Sequence, residues 1–231
     1  MDRVKTGIAG LDEMLEGGLP KSHTVVVMGS FGTGKTTFGL QFVSEGLRQG
    51  EKGIYITLEE DERSIIDDAK SFGWDLKPAV DAKKLVIVKL EPTDAKTTIS
   101  RIKSELPEFV KSFGATRIVI DSISLLNMLF ETEHDKRTNL FNLAQMIKKT
   151  GATCLMTAEV KDDNPMASRD GLIEYIADGV ISLRYDEPKE RSEIQLTVRI
   201  VKMRRINHSR RVKPYSITNK GIEVHSGAEV F

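Results

Sequence analysis

The amino-acid sequence predicts an α/β fold with a mostly parallel central sheet, helices on both faces and an antiparallel C-terminal extension. Three observations predict it: short apolar runs rich in β-branched residues, stretches of helical periodicity between the early runs, and a change of pattern after Leu183. Continuous apolar runs are typical of strands buried on both faces. Strands that alternate with helices favour a parallel sheet that is covered on both sides.

The parallel part of the fold is predicted element by element. The predicted strands are the apolar runs at residues 24–29, 53–57, 85–90, 117–121, 154–158 and 179–183. The predicted helices have apolar residues three or four positions apart, and they span residues 38–47, 62–72, 95–113 and 139–150.

The C-terminal part has a different pattern. Residues 185–193 are polar and contain Pro188, which predicts an exposed turn. Residues 194–203 partly alternate and predict a long strand, followed by strands at 211–218 and 222–224 around a tight turn at 219–221. We expect these strands to extend the edge of the same sheet. Since no linker or internal repeat interrupts the chain, we predict one domain over residues 1–231.

Composition excludes several classes of protein. The 231 residues include 34 Lys and Arg against 34 Asp and Glu, which argues against a chain-wide polybasic surface. A hydrophobic content of 39% is typical of a globular protein, and no apolar run has the roughly 18–20 residues of a membrane span. The first ten residues lack an apolar signal core, so we predict a cytoplasmic protein with no membrane partner.

A phosphate-binding motif follows the first long predicted strand. Residues 29–36 match the pattern G-x-x-x-x-G-K-[ST] at every fixed position. In this motif the glycines let backbone N–H groups point at phosphate oxygens, Lys35 reaches the terminal phosphates and the Thr36 hydroxyl coordinates Mg²⁺. The sequence therefore predicts a nucleoside triphosphate site made by Gly29, Ser30, Phe31, Gly32, Thr33, Gly34, Lys35 and Thr36.

Asp121 ends the predicted strand 117–121 and is the candidate for the magnesium shell of this site. The carboxyl ends of parallel strands share one edge of a sheet, so we expect Asp121 to lie beside the phosphate-binding loop. The alternative is that Asp121 only caps the segment that follows it.

Two carboxylates, Glu59 and Glu60, follow the predicted strand 53–57. One of them is expected to accept a proton from the attacking water while the other sets its basicity. We favour Glu59 as the base and place Glu60 second. The same acids, with Asp61 and Glu62, also suit the N-terminus of a helix, and both interpretations can hold.

A basic stretch lies near the C-terminus. Residues 194–213 have no acid and seven basic residues: Arg199, Lys202, Arg204, Arg205, Arg210, Arg211 and Lys213. Three interpretations stay open at this point: a solvated strand face, a nucleic-acid patch, and cations supplied to the γ-phosphate of a neighbouring subunit.

Taken together, the motifs resemble the KaiC family of RecA-like P-loop ATPases over essentially the whole chain. Those that carry the resemblance are residues 6–20 (TGIAGLDEMLEGGLP), the P-loop, Glu59-Glu60, residues 71–74 (SFGW), 120–122 (IDS), 177–181 (ADGVI) and 202–204 (KMR). The resemblance implies a RecA-like fold, with ATP bound between adjacent subunits of a homo-oligomeric ring that is usually a hexamer.

The resemblance also implies roles for individual residues. The phosphates are held by Gly32 to Thr37, Lys35 included, Mg²⁺ is held by Thr36 and Asp121, and the catalytic carboxylates are Glu59 and Glu60. Ser71 is implied to contact the nucleotide of its own subunit. The segment that reaches a neighbour's nucleotide matches Lys202, Met203, Arg204, Ile206 and His208, with Thr218 and Asn219 close to the base of that nucleotide.

The function that we predict first is a Mg²⁺-dependent, ATP-hydrolysing regulatory protein that acts as a homo-oligomeric ring. The alternative is a recombinase paralogue that binds DNA or modulates recombination, and a third candidate is a scaffold that binds ATP with very slow turnover. A signalling or recombination protein is the expected partner. DNA is not favoured, because no helix-hairpin-helix module or aromatic-basic loop is evident. Autophosphorylation stays open.

Overall fold

The structure is a computed structural model that describes residues 2–90, 95–161, 164, 167–169, 171–186 and 194–229. The strands are β1 Arg3–Val4, β2 Leu19–Pro20, β3 Thr24–Gly29, β4 Gly53–Thr57, β5 Leu85–Lys89, β6 Arg117–Asp121, β7 Thr153–Glu159, β8 Gly179–Asp186, β9 Gln195–Met203, β10 Lys213–Thr218 and β11 Gly221–Val224. The helices are α1 Leu11–Met14, α2 Lys35–Arg48, α3 Glu62–Ser71, α4 Lys77–Asp81, α5 Ala95–Phe113, α6 Ile123–Asn127, α7 Glu133–Thr150 and α8 Ile173–Ile176.

Nine of these strands form one sheet in the order β11-β10-β9-β8-β3-β7-β6-β4-β5. The strands from β3 to β8 are mutually parallel, and β9, β10 and β11 add to the β8 edge as antiparallel neighbours. The predicted fold class is therefore confirmed. We call the end of the parallel strands that carries Gly29, Thr57 and Asp121 the carboxyl edge, and the end that carries Thr24 and Gly179 the amino edge.

Side chains of the parallel strands alternate between two apolar cores, one on each face of the sheet. In β3, Val25 and Val27 face the core beneath α2 and α3, whereas Val26 and Met28 face the core beneath α7. Because both faces are buried, the strand sequences are apolar throughout, which is the pattern that predicted them.

Most predicted boundaries agree with the structure to within a few residues, and the exceptions have physical causes. Helix α7 begins at Glu133 rather than at the predicted residue 139. Its first turns are polar and therefore show no apolar period in the sequence. Thr132 caps them through its hydroxyl, which accepts the Asp135 N–H. Strand β8 continues to Asp186, so Tyr185 belongs to a strand and not to the predicted turn. The rest of that turn, residues 187–193, lies outside the described residues.

Within the described part of the chain, no helix has the length and apolar character needed to cross a lipid bilayer.

A buried arginine joins several elements at the amino edge. The Arg117 side chain is 1% exposed and forms two hydrogen bonds with the Glu51 carboxylate, at 2.9 and 3.0 Å. Its Nη1 donates to the carbonyls of Lys5 and Phe42 at 2.7 and 2.8 Å, and the guanidinium lies 4.6 Å from the centre of the Phe42 ring. Burial acts to raise the pKa of Glu51, but hydrogen bonds from Arg117 and Thr116 outweigh it and leave that pKa below its ordinary value.

We expect Arg117→Met to lower the free energy of unfolding by about 3–5 kcal/mol, because it removes the cationic partner of the Glu51 carboxylate and the Nη1 donor of two carbonyls. Urea denaturation measures the change. The matched control is Arg48→Met, which removes a pair between an exposed arginine and Glu45, to which Gln49 still donates, and should cost below about 1 kcal/mol. Equal losses in the two variants would contradict this account of Arg117.

Candidate functional site

The P-loop connects β3 to α2 at the carboxyl edge. Gly32 and Gly34 have positive φ values of 73° and 83°, a conformation that strains other residues, and Gly34 is the N-cap of the 14-residue helix α2. A Cβ on Gly32 would lie 2.2 Å from the Tyr185 hydroxyl oxygen, and one on Gly34 would lie 2.7 Å from Cδ1 of Ile217. The positive φ values favour glycine at these positions, and the loop places the N-terminus of a long helix where an anion would bind.

Hydrogen bonds within the P-loop and one from β10 fix the conformation of the loop. The Thr33 hydroxyl and the Lys35 amine both donate to the Ser30 carbonyl, at 2.7 and 2.9 Å, and the Tyr215 hydroxyl of β10 donates to the Thr33 carbonyl at 2.7 Å. Burial lowers the pKa of Lys35, although Glu159, Asp121 and Glu59 act in the opposite direction. Lys35 therefore lies among three carboxylates as well as beside the loop.

Asp121 accepts hydrogen bonds from three hydroxyl groups. Thr36 donates at 2.8 Å, Tyr55 donates at 2.9 Å, and Thr157 donates to the other carboxylate oxygen. Burial raises the pKa of the Tyr55 phenol, and the neighbouring Asp121 charge adds to that shift, so the phenol remains a donor. The N-cap of α6 is Ser122, so the contacts of Asp121 favour a site role over the capping alternative.

The donor set at this position suits Mg²⁺. The Thr36 hydroxyl and the Asp121 carboxylate are adjacent hard oxygen donors, the ligand type that Mg²⁺ takes together with nucleotide phosphates. The residues present therefore fit the metal that the P-loop motif implies.

The structure distinguishes the two adjacent glutamates. Thr57 accepts the N–H groups of both Glu59 and Glu60 through its hydroxyl, at 3.2 and 3.1 Å, which fixes the turn after β4. Burial raises the pKa of Glu59, and Asp121 and Glu159 raise it further, while Lys35 lowers it. Burial also raises the pKa of Glu60, but the next influence there is a hydrogen bond and charge from Asp68 of α3. Glu59 thus shares its electrostatic neighbours with Lys35, whereas Glu60 is coupled to α3.

Sequence reasoning missed Tyr55, Thr157 and Glu159. Glu159 ends β7, lies in register with Gly29 and forms a 2.8 Å ion pair with Arg169. Tyr55 and Thr157 are polar residues inside apolar strands, and this interruption of the apolar pattern is the signal by which they could have been found.

Of the residues predicted to reach a neighbour's nucleotide, Lys202, Met203 and Arg204 lie at the opposite end of the sheet. The register pairs Met203 with Gly179, which places residues 202–204 at the amino edge. The Lys202 amine donates to the carbonyls of Glu174 and Ala177 at 3.0 and 2.6 Å. The Arg204 side chain is 49% exposed and makes a 3.5 Å contact with Asp178. Five residue steps of β3 separate this edge from Gly29, a distance of about 17 Å, so these cations lie far from the P-loop of their own chain.

Two further predicted residues follow in the same loop. Ile206 packs against the core beneath α2, and the His208 ring is hydrogen-bonded to the Ser209 carbonyl at 3.0 Å. The Ser209 N–H donates to the carbonyl of Met14 in α1 at 2.8 Å, and this hydrogen bond joins the loop to the N-terminal segment.

Ser71, Thr218 and Asn219 lie on the P-loop side of the molecule. Strand β10 runs antiparallel to β9, so Thr218 and Asn219 end at the carboxyl edge, just beyond Ile217, which contacts Gly34. A Cβ on Gly221 would meet the Trp74 ring at 2.6 Å, which brings the segment after Ser71 beside the same turn. Ser71 itself is exposed and donates to the Asp68 carbonyl at 2.6 Å. This position differs from the one that the resemblance implied for Thr218 and Asn219, because the β9–β10 register places them beside their own P-loop.

A P-loop and an acidic strand end that meet at the carboxyl edge of a parallel sheet define a P-loop nucleoside triphosphatase fold. The chain belongs to the KaiC family of ATPases, whose family model matches residues 4–229. The resemblance seen in the sequence is thereby confirmed.

The similar proteins agree with this assignment. The chain is 33% identical to the circadian clock oscillator protein KaiC of Picosynechococcus sp., with 97% of this chain and 44% of that protein aligned. It is 34% identical to the protein of that name from Synechococcus elongatus, over 96% of this chain and 44% of that one. It thus spans less than half the length of these curated relatives. The crystal structure of a KaiC-like protein from Pyrococcus horikoshii OT3 superposes with a TM-score of 0.85 at 36% identity, covering 97% of this chain and 99% of that one.

Proposed function

We propose that this chain is a Mg²⁺-dependent ATPase that works in the cytoplasm as a ring of identical subunits, a hexamer by its resemblance, and has a regulatory role. One observation supports it most strongly: Lys35, Asp121 and Glu59 meet at the carboxyl edge, whereas Lys202 and Arg204 lie at the opposite edge of the same chain. A second copy would bring those cations to the first copy's ATP and complete the site. We also propose that residues 1–231 form one domain, since the main sheet takes strands from residue 24 to residue 224.

Each residue at the carboxyl edge has a role in this proposal. The P-loop amides and Lys35 bind the phosphates, and Thr36 and Asp121 would hold Mg²⁺, which neutralises charge on the β- and γ-phosphates when bound. Ser71 is assigned to the nucleotide held by its own chain, and Thr218 and Asn219 are assigned to the base of that nucleotide. The neighbouring subunit supplies Lys202, Met203 and Arg204, and the loop of Ile206 and His208 supports them.

Hydrolysis needs a base, and Glu59 takes that role. Its carboxylate accepts a proton from water, the water oxygen bonds to the γ-phosphorus, and the bond from that phosphorus to the bridging oxygen breaks to leave ADP and phosphate. The raised pKa of Glu59 makes its ionised form a better proton acceptor. Glu60, which lies beside Asp68 of α3, supports this carboxylate.

The DNA-binding alternative has less support. Lys213, one of the seven cations, is buried and its amine donates to the Ala228 carbonyl of its own chain, so it is not presented to phosphates of DNA.

We expect Lys35→Ala to weaken ATP binding at least about a hundredfold, because the amine is the charged group nearest the terminal phosphates. Titration calorimetry with a slowly hydrolysed ATP analogue measures it. Lys21→Ala is the control, since Lys21 pairs with Asp2 far from the P-loop and should bind as wild type does. Unchanged affinity in Lys35→Ala would contradict the proposed site.

A further inference from the structure

The P-loop carries a large aromatic side chain that its own chain does not cover. Phe31, next to Gly32, is 88% exposed. The glycine and lysine of this loop are explained by phosphate binding, but that chemistry does not call for an aromatic ring at this position. An exposed aromatic side chain beside a functional loop is the type of residue that anchors a protein interface.

A groove of about 830 Å³ lies along one face of α7, where α7 meets residues 171–176. Its apolar wall includes Phe141, Leu172 and Tyr175, and the residues Phe141 and Tyr175 are 51% and 75% exposed. Its polar wall includes His134, Arg137 and Arg204. The groove is therefore aromatic and basic, and the described residues that line it include no acid.

Arg204 connects this groove with the proposed ring. It lines the groove and it is also the cation proposed to reach the ATP of a neighbouring subunit. Phe31 precedes Lys35, which binds the terminal phosphates of that ATP, by only four residues. A subunit contact that brings Arg204 to those phosphates therefore brings the groove to Phe31.

The charges of the two surfaces are complementary. Glu59, Glu60 and Glu159 lie at the carboxyl edge around the P-loop, and the groove presents Arg137 and Arg204. Acidic and basic surfaces of one chain favour head-to-tail contact, the arrangement that closes into a ring.

We propose that Phe31 of each subunit inserts into the α7 groove of the next copy of this chain, against Phe141 and Tyr175. This inference rests on the proposed function for the direction of the contact. It adds an apolar anchor within the phosphate-binding loop itself, so that the loop which holds ATP also holds the neighbouring subunit.

Cross-linking tests this contact in the full-length chain. The double variant Phe31→Cys/Tyr175→Cys, treated with a mild oxidant in the presence of ATP and Mg²⁺, should give a ladder of disulfide-linked oligomers on a gel without reductant. Each disulfide forms as two thiols lose two electrons and two protons to the added oxidant. The native Cys154 is fully buried and its thiol pKa is raised by that burial, so it stays silent. Each single variant should give no ladder, and Phe109→Cys/Tyr175→Cys is the control because Phe109 is an exposed ring on α5.

Sizing gives a second, independent readout. Phe31→Ser should raise the protein concentration needed for half assembly at least about tenfold, as expected for loss of a buried aromatic anchor. Wild-type chain that assembles with ATP, combined with no ladder in the double variant, would overturn the inference alone. Cross-links in the single Phe31→Cys variant would also overturn it, since they would show the two loops facing each other. Failure of the wild type to bind ATP would instead overturn the proposed function.

Discussion

Replacing Glu59 with glutamine should slow ATP hydrolysis by about 10²–10⁴-fold while leaving ATP affinity within a few fold of wild type. The amide keeps the size of the side chain but cannot accept the proton of the attacking water. Asp121, Glu159 and Lys35 are the electrostatic neighbours of Glu59, and Lys35 is the residue proposed to bind the terminal phosphates. Phosphate release in single-turnover conditions measures the chemical step, and calorimetry measures the affinity.

The adjacent residue gives a matched comparison. Glu60→Gln should cause a smaller loss, because that carboxylate is coupled to Asp68 of α3. In wild type the rate should fall as pH drops through the pKa of Glu59, which burial raises above its ordinary value, because protonation removes the base. That acidic limb should be absent in Glu59→Gln. A larger loss in Glu60→Gln than in Glu59→Gln would reverse the two roles.

Replacing Arg204 with alanine should slow hydrolysis by about 10³-fold, the effect typical of an arginine supplied in trans to a transferring phosphoryl group. The free energy of unfolding of this variant should differ from wild type by less than about 1 kcal/mol, since the Arg204 side chain is half exposed and Lys148 still pairs with Asp178 at 3.0 Å. Arg204→Lys should recover only part of the activity, because an ammonium cannot reproduce the two-pronged contact of a guanidinium.

Arg205→Ala is the control for this prediction. Arg205 is the next residue, carries the same charge and is exposed, but its backbone is in the left-handed region with a φ of 66°. We expect its rate to stay near wild type. If the two alanine variants lose activity equally, the effect belongs to the net charge of the loop and not to Arg204.

Local sequence patterns predicted the parts of the fold whose residues are buried on both faces. Strands β3, β4 and β6 agree with the apolar runs at both ends, because nothing else in those runs competes with burial. The helices α1, α4, α6 and α8 were missed, since four or five residues are too short to show a helical period.

The candidate site was predicted only where one motif contains all the participants. The P-loop residues are contiguous, so their spacing alone identifies them. Tyr55, Thr157 and Glu159 come from β4 and β7, and their convergence on Asp121 and Lys35 depends on which strands are neighbours. The separation of Lys202 and Arg204 from the P-loop likewise depends on the β8–β9 register, which sequence pattern does not specify.

Mixing two inactive variants tests the shared site most directly. Lys35→Ala cannot hold ATP but still offers Arg204, and Arg204→Ala holds ATP but offers no arginine. We expect an equimolar mixture to hydrolyse ATP well above the sum of the two separate rates, with a tag on one variant used to confirm that both enter the same assemblies. Co-assembly with no gain in rate would contradict the proposal that one subunit's cations act on the next subunit's ATP.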